Sequence, residues 1–139
     1  MEITPIAPEW YGSPKVMFII DNKLNTLNDL TQYPVIGVTR ARFTSLIEKY
    51  TKSYYLTLLI KCITKNQTYK AEEIKECIKW IEYEIDIVKP DIIIGCGSSI
   101  KKYIKCDYNI LSPSKIIENK KNEEKFELIL RKVFNGNKS

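Results

Sequence analysis

Three short apolar runs constrain the fold most: "KVMFIID" at 15–21, "SYYLTLLI" at 53–60 and "DIIIGCG" at 91–97. Each lacks the apolar–polar alternation of a half-exposed strand and has the pattern of a strand covered on both faces. Helical patterns separate them. After Thr39, the positions Phe43, Leu46, Ile47 and Tyr50 recur at i, i+3, i+4, i+7, with Arg40, Arg42, Glu48 and Lys49 off that face. From Ala71, the residues Ile74, Cys77, Ile78, Ile81, Ile85 and Val88 keep one face, and Glu72, Glu73, Lys75, Glu76, Lys79 and Glu82 keep the other. That helix is expected to stop at Lys89-Pro90, because proline disfavours helical geometry in the residue before it. "YNIL" at 108–111 is a fourth strand, "SPS" at 112–114 a turn, and Phe126, Ile129, Leu130, Val133 and Phe134 mark a last helix.

Parallel neighbours need crossover connections, which are usually helical. The alternation therefore predicts an α/β fold, a three-layer α/β/α sandwich with a central four-stranded parallel sheet. Ligands of such sheets bind beyond the carboxyl ends of the strands. Those ends are Asp21-Asn22, Lys61-Cys62, Gly95-Cys96-Gly97 and Ser112-Pro113-Ser114.

With 139 residues, 44% of them apolar, the chain has the size and composition of one domain. Residues 1–14 hold three prolines and a glycine, so they read as an irregular arm anchored by Trp10 and Tyr11. Residues 15–134 form the domain and "NGNKS" at 135–139 a frayed tail, while 22–38 reads as a long loop closed by "YPVIG". No stretch approaches the ~18 apolar residues of a membrane span, and no basic-plus-apolar leader opens the chain, so a soluble, intracellular protein is expected.

The net charge of +5 fits a polyanionic partner and also fits a solvated lysine surface. There is no histidine, which removes Ser-His, Cys-His and His-metal chemistry from this chain. Cys62, Cys77, Cys96 and Cys106 form no C-x-x-C pair and are expected to be reduced. Two thiols flanking one loop, Cys62 and Cys77, do not make a metal site, and Cys77 falls on the apolar face of its helix. "GCGSS" at 95–99 lacks the spacing of a nucleotide-binding glycine loop, so it reads as a tight turn with Ser98 or Ser99 capping the next helix.

The order "KVMFIIDN", "YPVIG", "YLTLLIKC", "AEEIKECIKWIEYEIDIVKPDIIIGCG", "ILSPSKII" resembles the uracil-DNA glycosylase superfamily, most closely its iron–sulfur branch, family four. The resemblance spans roughly residues 15–134 and is most specific over 54–97. It implies a glycosylase fold with the working residues replaced. The family's uracil-reading Asn corresponds to Leu58, its stacking Phe to Val35 and its HPS histidine to Ser112. Its GEAPG turn becomes "IDNKL" at 20–24, which keeps Asp21 and Asn22 as water-positioning candidates. Cys62 and Cys77 are half of the family's cluster set, so no iron–sulfur cluster is expected and no cofactor is implied.

A pocket without stacker, reader and charge stabiliser does not recover the few kcal/mol of base flipping, and one lost stabiliser alone costs ~10²- to 10³-fold in rate. The resemblance thus implies a non-excising module that contacts DNA or a replication or repair protein. Lys61, Lys65, Ser112, Ser114 and Lys115 are its candidate DNA contacts, and Lys101 and Lys102 lie on the same expected rim. Two other readings stand beside it. One is a glycosylase of altered base specificity that uses Asp21 and Asn22. The other is a structural subunit, for example viral, that docks through its Trp10-Tyr11 arm.

Overall fold

The computed structural model describes residues 4–5, 9–11, 15–20, 37–59, 62–63, 71–97 and 100–134. In chain order its elements are β1 (Thr4–Pro5), β2 (Glu9–Tyr11), β3 (Val16–Ile20), α1 (Gly37–Glu48), β4 (Tyr54–Leu58), β5 (Cys62–Ile63) and α2 (Ala71–Val88). There follow β6 (Ile92–Cys96), a 3-10 turn (Ile100–Lys102), β7 (Tyr108–Ile110), α3 (Pro113–Ile116) and α4 (Lys120–Phe134).

The main sheet has the order β2-β4-β3-β6-β7. Strands β4, β3, β6 and β7 are mutually parallel, the four-stranded parallel sheet expected from the apolar runs. β2 adds an antiparallel edge, with Trp10 opposite Tyr55 and Tyr11 opposite Tyr54. The stretch 1–14, expected to be irregular, thus supplies two short strands. β1 pairs antiparallel with β5, and β2 covers the open edge of β4, whose backbone groups need partners.

Two apolar clusters sandwich the sheet. On one face Val16, Phe18, Ile20, Tyr54, Leu56, Leu58, Ile94 and Cys96 meet α1, α3 and α4. Phe18 lies at the centre, edge-on to Phe43 at 6.1 Å, Tyr54 at 6.4 Å and Phe126 at 6.3 Å, while Phe43 and Phe126 stack at 5.3 Å. On the other face Met17, Ile19, Tyr55 and Leu59 meet Ile81 of α2, Ile100 of the 3-10 turn and Ile104 just beyond it. Both faces are covered, which is why β3 reads as an unbroken apolar run: all five of its residues are buried.

One polar cluster crosses the second face. Glu84 of α2 accepts from the Tyr55 hydroxyl at 2.5 Å and from the Thr57 hydroxyl at 3.0 Å, and both donors are buried. Removing the carboxylate takes one hydrogen bond to a charged acceptor from each of two buried hydroxyls, and such a bond contributes roughly 1.5–3 kcal/mol. Glu84→Ala is therefore expected to lower stability by about 2–3 kcal/mol. Chemical denaturation checks this, and Glu84→Gln, which keeps an acceptor, should recover part of the loss.

Local boundaries follow from single residues. α2 ends at Val88, and Lys89 adopts the left-handed conformation (φ 50°) with its N–H donated to the Ile85 carbonyl at 2.8 Å, just before Pro90. The "SPS" stretch, expected as a turn, opens α3 instead. Ser112 is its N-cap and Pro113 occupies the first turn, where a missing N–H costs nothing. Along the outside of α1 and α4, Arg42 forms a two-pronged ion pair with Glu123 (2.8 and 2.7 Å), and Lys49 bonds Glu127 at 3.1 Å.

Candidate functional site

The parallel strands run out from the centre of the sheet in both directions. β3 is followed by β4 on one side, and the chain then returns to add β6 and β7 on the other. The switch point lies between β3 and β6, and the crevice beyond their carboxyl ends is where such sheets take ligands. There the cross-strand register aligns Leu58, Ile20, Cys96 and Ile110 in one row. All four point to the helical face of Phe18, and the first three are at most 3% exposed. The switch point is therefore floored on that side by apolar side chains. None of the four offers an amide to a base edge.

Burial also silences the thiols near this edge. Full burial raises the Cys96 thiol far above its ordinary range, and Cys106 is pushed up to about 11 by burial and by the neighbouring Asp107 carboxylate. Both stay protonated near neutrality and are poor nucleophiles and metal ligands. The linkage has a sign. A thiol whose folded pKa is raised contributes its full stability below the unfolded pKa of about 9 and loses it as pH rises beyond. Stability should fall above pH 9 by up to ~1.4 kcal/mol per pH unit from Cys96. Cys96→Val should flatten that slope in urea titrations between pH 8 and 11.

An open cleft of about 410 Å³ lies at the carboxyl ends of β6 and β7, lined by Gly97, Lys101, Asn109, Ile110, Leu111, Lys125 and Ile129. Gly97 lines it, and Gly95 packs against its Asn109. At Gly95 a Cβ would lie 3.0 Å from both Asn109 Oδ1 and Cys106 Sγ, so any side chain there would push these two groups back. Gly97 sits at φ 144°, a region side chains rarely adopt, and donates its N–H to the Ile110 carbonyl at 2.8 Å, tying the β6 turn to β7.

Lys101 and Lys125 approach from opposite walls, the first from the 3-10 turn and the second from α4. Among the described residues neither pairs with a carboxylate, and no carboxylate lines the cleft. A second cavity of about 310 Å³ lies at the amino ends of the strands, where Lys15 faces the same space as Asp91. Its charges offset each other, whereas among the described residues lysines are the only charged ones lining the carboxyl-edge cleft.

The candidate residues distribute unevenly around this edge. Leu58 closes the apolar row, and Ser112 is half-buried at the N-cap of α3, its carbonyl accepting from the Lys115 and Ile116 N–H groups at 3.0 and 2.9 Å. Lys115 is exposed on α3, one turn beyond Leu111 of the cleft, and Lys102 is exposed beside Lys101. Ser114 is the second residue of α3, Cys62 belongs to β5 and Cys77 to α2, their side chains lying outside the described residues. Asp21, Asn22, Val35, Lys61, Lys65, Ser98 and Ser99 also fall outside them. Lys125 and Asn109 were not among the expected contacts. The i, i+4 pair of Lys125 with Ile129 on the final helix was the available signal, but it reads as an ordinary helix border until β7 is placed beside it.

Among the described residues no group of three or more carboxylate or thiol side chains is arranged to hold a metal ion. No described helix is long and apolar enough to cross a membrane. The model of the uracil DNA glycosylase superfamily matches residues 10–134 of the chain. No curated protein matches it.

Proposed function

The chain belongs to the uracil DNA glycosylase superfamily, and from that membership we propose a degenerate, family-four-like member that does not excise uracil and serves DNA replication or repair by holding the DNA backbone. The observation that carries this reading is the make-up of the carboxyl edge, an apolar row at the switch point flanked by a lysine-walled cleft. Leu58 supports the loss of uracil reading, because a buried leucine supplies no hydrogen bond to repay unstacking. Ser112 supports the loss of the charge stabiliser, since a hydroxyl cannot carry the positive charge of an imidazolium. Cys62 and Cys77 alone do not hold an iron–sulfur cluster, so no cofactor is invoked.

Lys101, Lys115 and Lys125, with Lys61 and Lys65 from the same edge in sequence, contact phosphates. Ser112 and Ser114 supply hydroxyl donors. Contacts of this kind bind without reading sequence, with affinities of roughly 10⁻⁴ to 10⁻⁶ M at physiological salt. The test is a single-turnover excision assay with the chain in excess over oligonucleotides carrying uracil, hypoxanthine, xanthine or oxidised bases. The proposal expects no released base from any of them. Release of uracil would overturn it, and release of another base that is abolished by Asp21→Asn would establish a glycosylase of altered specificity.

A further inference from the structure

The outer face of α2 is a surface that the DNA reading leaves unused. Trp80, Tyr83 and Ile87 are 57%, 61% and 64% exposed and recur at i, i+3, i+7, so they form one apolar ridge along two turns. Among the described residues the other large exposed apolar side chains, Tyr103, Leu111 and Leu128, are divided among three different elements or loops. A ridge of tryptophan and tyrosine has the composition that dominates binding energy at protein interfaces.

Charge decides what covers it. Six carboxylates against two lysines give α2 a net charge of −4 in a chain of net +5, so the remaining residues carry +9. On the exposed side, Lys79 is already paired with Glu76 at 3.3 Å, while Glu82 and Asp86 flank Tyr83 and Ile87. A twofold pairing of this ridge with its own copy would bring two acidic helices together, which disfavours a symmetric self-dimer. A convex helical ridge packs best against another helix, with side chains of one set between those of the other. α2 covers the sheet face opposite α4, which carries Lys125, and none of the described α2 residues lines the cleft.

We propose that the Trp80–Tyr83–Ile87 ridge docks a lysine- or arginine-bearing amphipathic helix of a partner protein. Apolar side chains of that helix pack between Trp80, Tyr83 and Ile87, and its cations meet Glu82 and Asp86. This inference does not depend on DNA binding.

The experiment uses the full chain and two labelled 18-residue helical peptides with the same leucine face, one with lysines on its polar face and one with glutamates. Fluorescence anisotropy is expected to show at least tenfold tighter binding of the lysine peptide. The Trp80→Ala/Tyr83→Ala variant, whose replaced side chains are exposed and leave the core intact, should lose at least tenfold of that affinity. Glu82→Lys/Asp86→Lys should reverse the preference toward the glutamate peptide, and Lys101→Glu/Lys125→Glu should leave peptide affinity unlowered. Equal binding of both peptides, or undiminished binding by Trp80→Ala/Tyr83→Ala, would overturn the proposal. Sedimentation that shows self-association of the chain, abolished by Trp80→Ala/Tyr83→Ala, would overturn it in favour of a second copy as occupant.

Discussion

Phe18→Ala is expected to destabilise the folded chain by about 3–5 kcal/mol, the range for truncating a fully buried phenylalanine. Phe18 has no exposed surface and lies within 6.4 Å, ring centre to ring centre, of Phe43, Tyr54 and Phe126. Its removal strands three aromatic neighbours from three elements, α1, β4 and α4, and the sheet between them limits how far they can collapse into the void. Total stabilities of domains this size are about 5–15 kcal/mol, so the variant should be close to unfolding at physiological temperature. Urea denaturation followed by far-ultraviolet circular dichroism measures the loss. A shift below about 1 kcal/mol would mean that the aromatic cluster is not the packing centre described here.

The second large effect concerns the cleft. Lys101→Glu/Lys125→Glu reverses both charges on its walls and should weaken binding to a duplex oligonucleotide at least tenfold at low salt. Each phosphate contact contributes a slope of about −0.9 to the dependence of log affinity on log salt. Loss of two contacts should therefore flatten that slope by about 2. Both side chains are exposed and make no ion pair among the described residues, so folding should be unchanged. Charge reversal at Lys15, which faces the cavity at the opposite end of the sheet, is the control and should alter affinity far less.

The parallel sheet could be read from sequence because its strands are buried on both faces. "VMFII" and "YYLTL" are apolar without alternation, and burial on both faces is the condition that produces such a run. α2 was readable for the complementary reason, a strong division between an apolar and a charged face. The same division hid the ridge: Trp80, Tyr83 and Ile87 are large apolar residues on the charged side, and only their exposure in the folded chain separates them from core. β2 was not readable, since three residues between prolines and a glycine carry no periodic signal. Its strand character comes from the unpaired edge of β4, a tertiary cause.

The candidate site was readable in part. The family resemblance drew attention to Leu58 and Ser112, and the structure places Leu58 in an apolar row and Ser112 at a helix N-cap. The cleft itself was hidden, because Lys101, Asn109 and Lys125 come from three elements. Their convergence depends on β7 pairing with β6 and on α4 folding back over the sheet.

We propose that this superfamily fold binds the DNA backbone without reading uracil, and a single titration tests both halves of that proposal. The direct measurement is an anisotropy titration of the full chain with two oligonucleotides of identical sequence, one carrying uracil in place of a single thymine, across a series of salt concentrations. Equal affinities for the two, falling together as salt rises, are the predicted result. Tighter binding of the uracil-bearing strand that persists at high salt, or no binding of either at low salt, would contradict it.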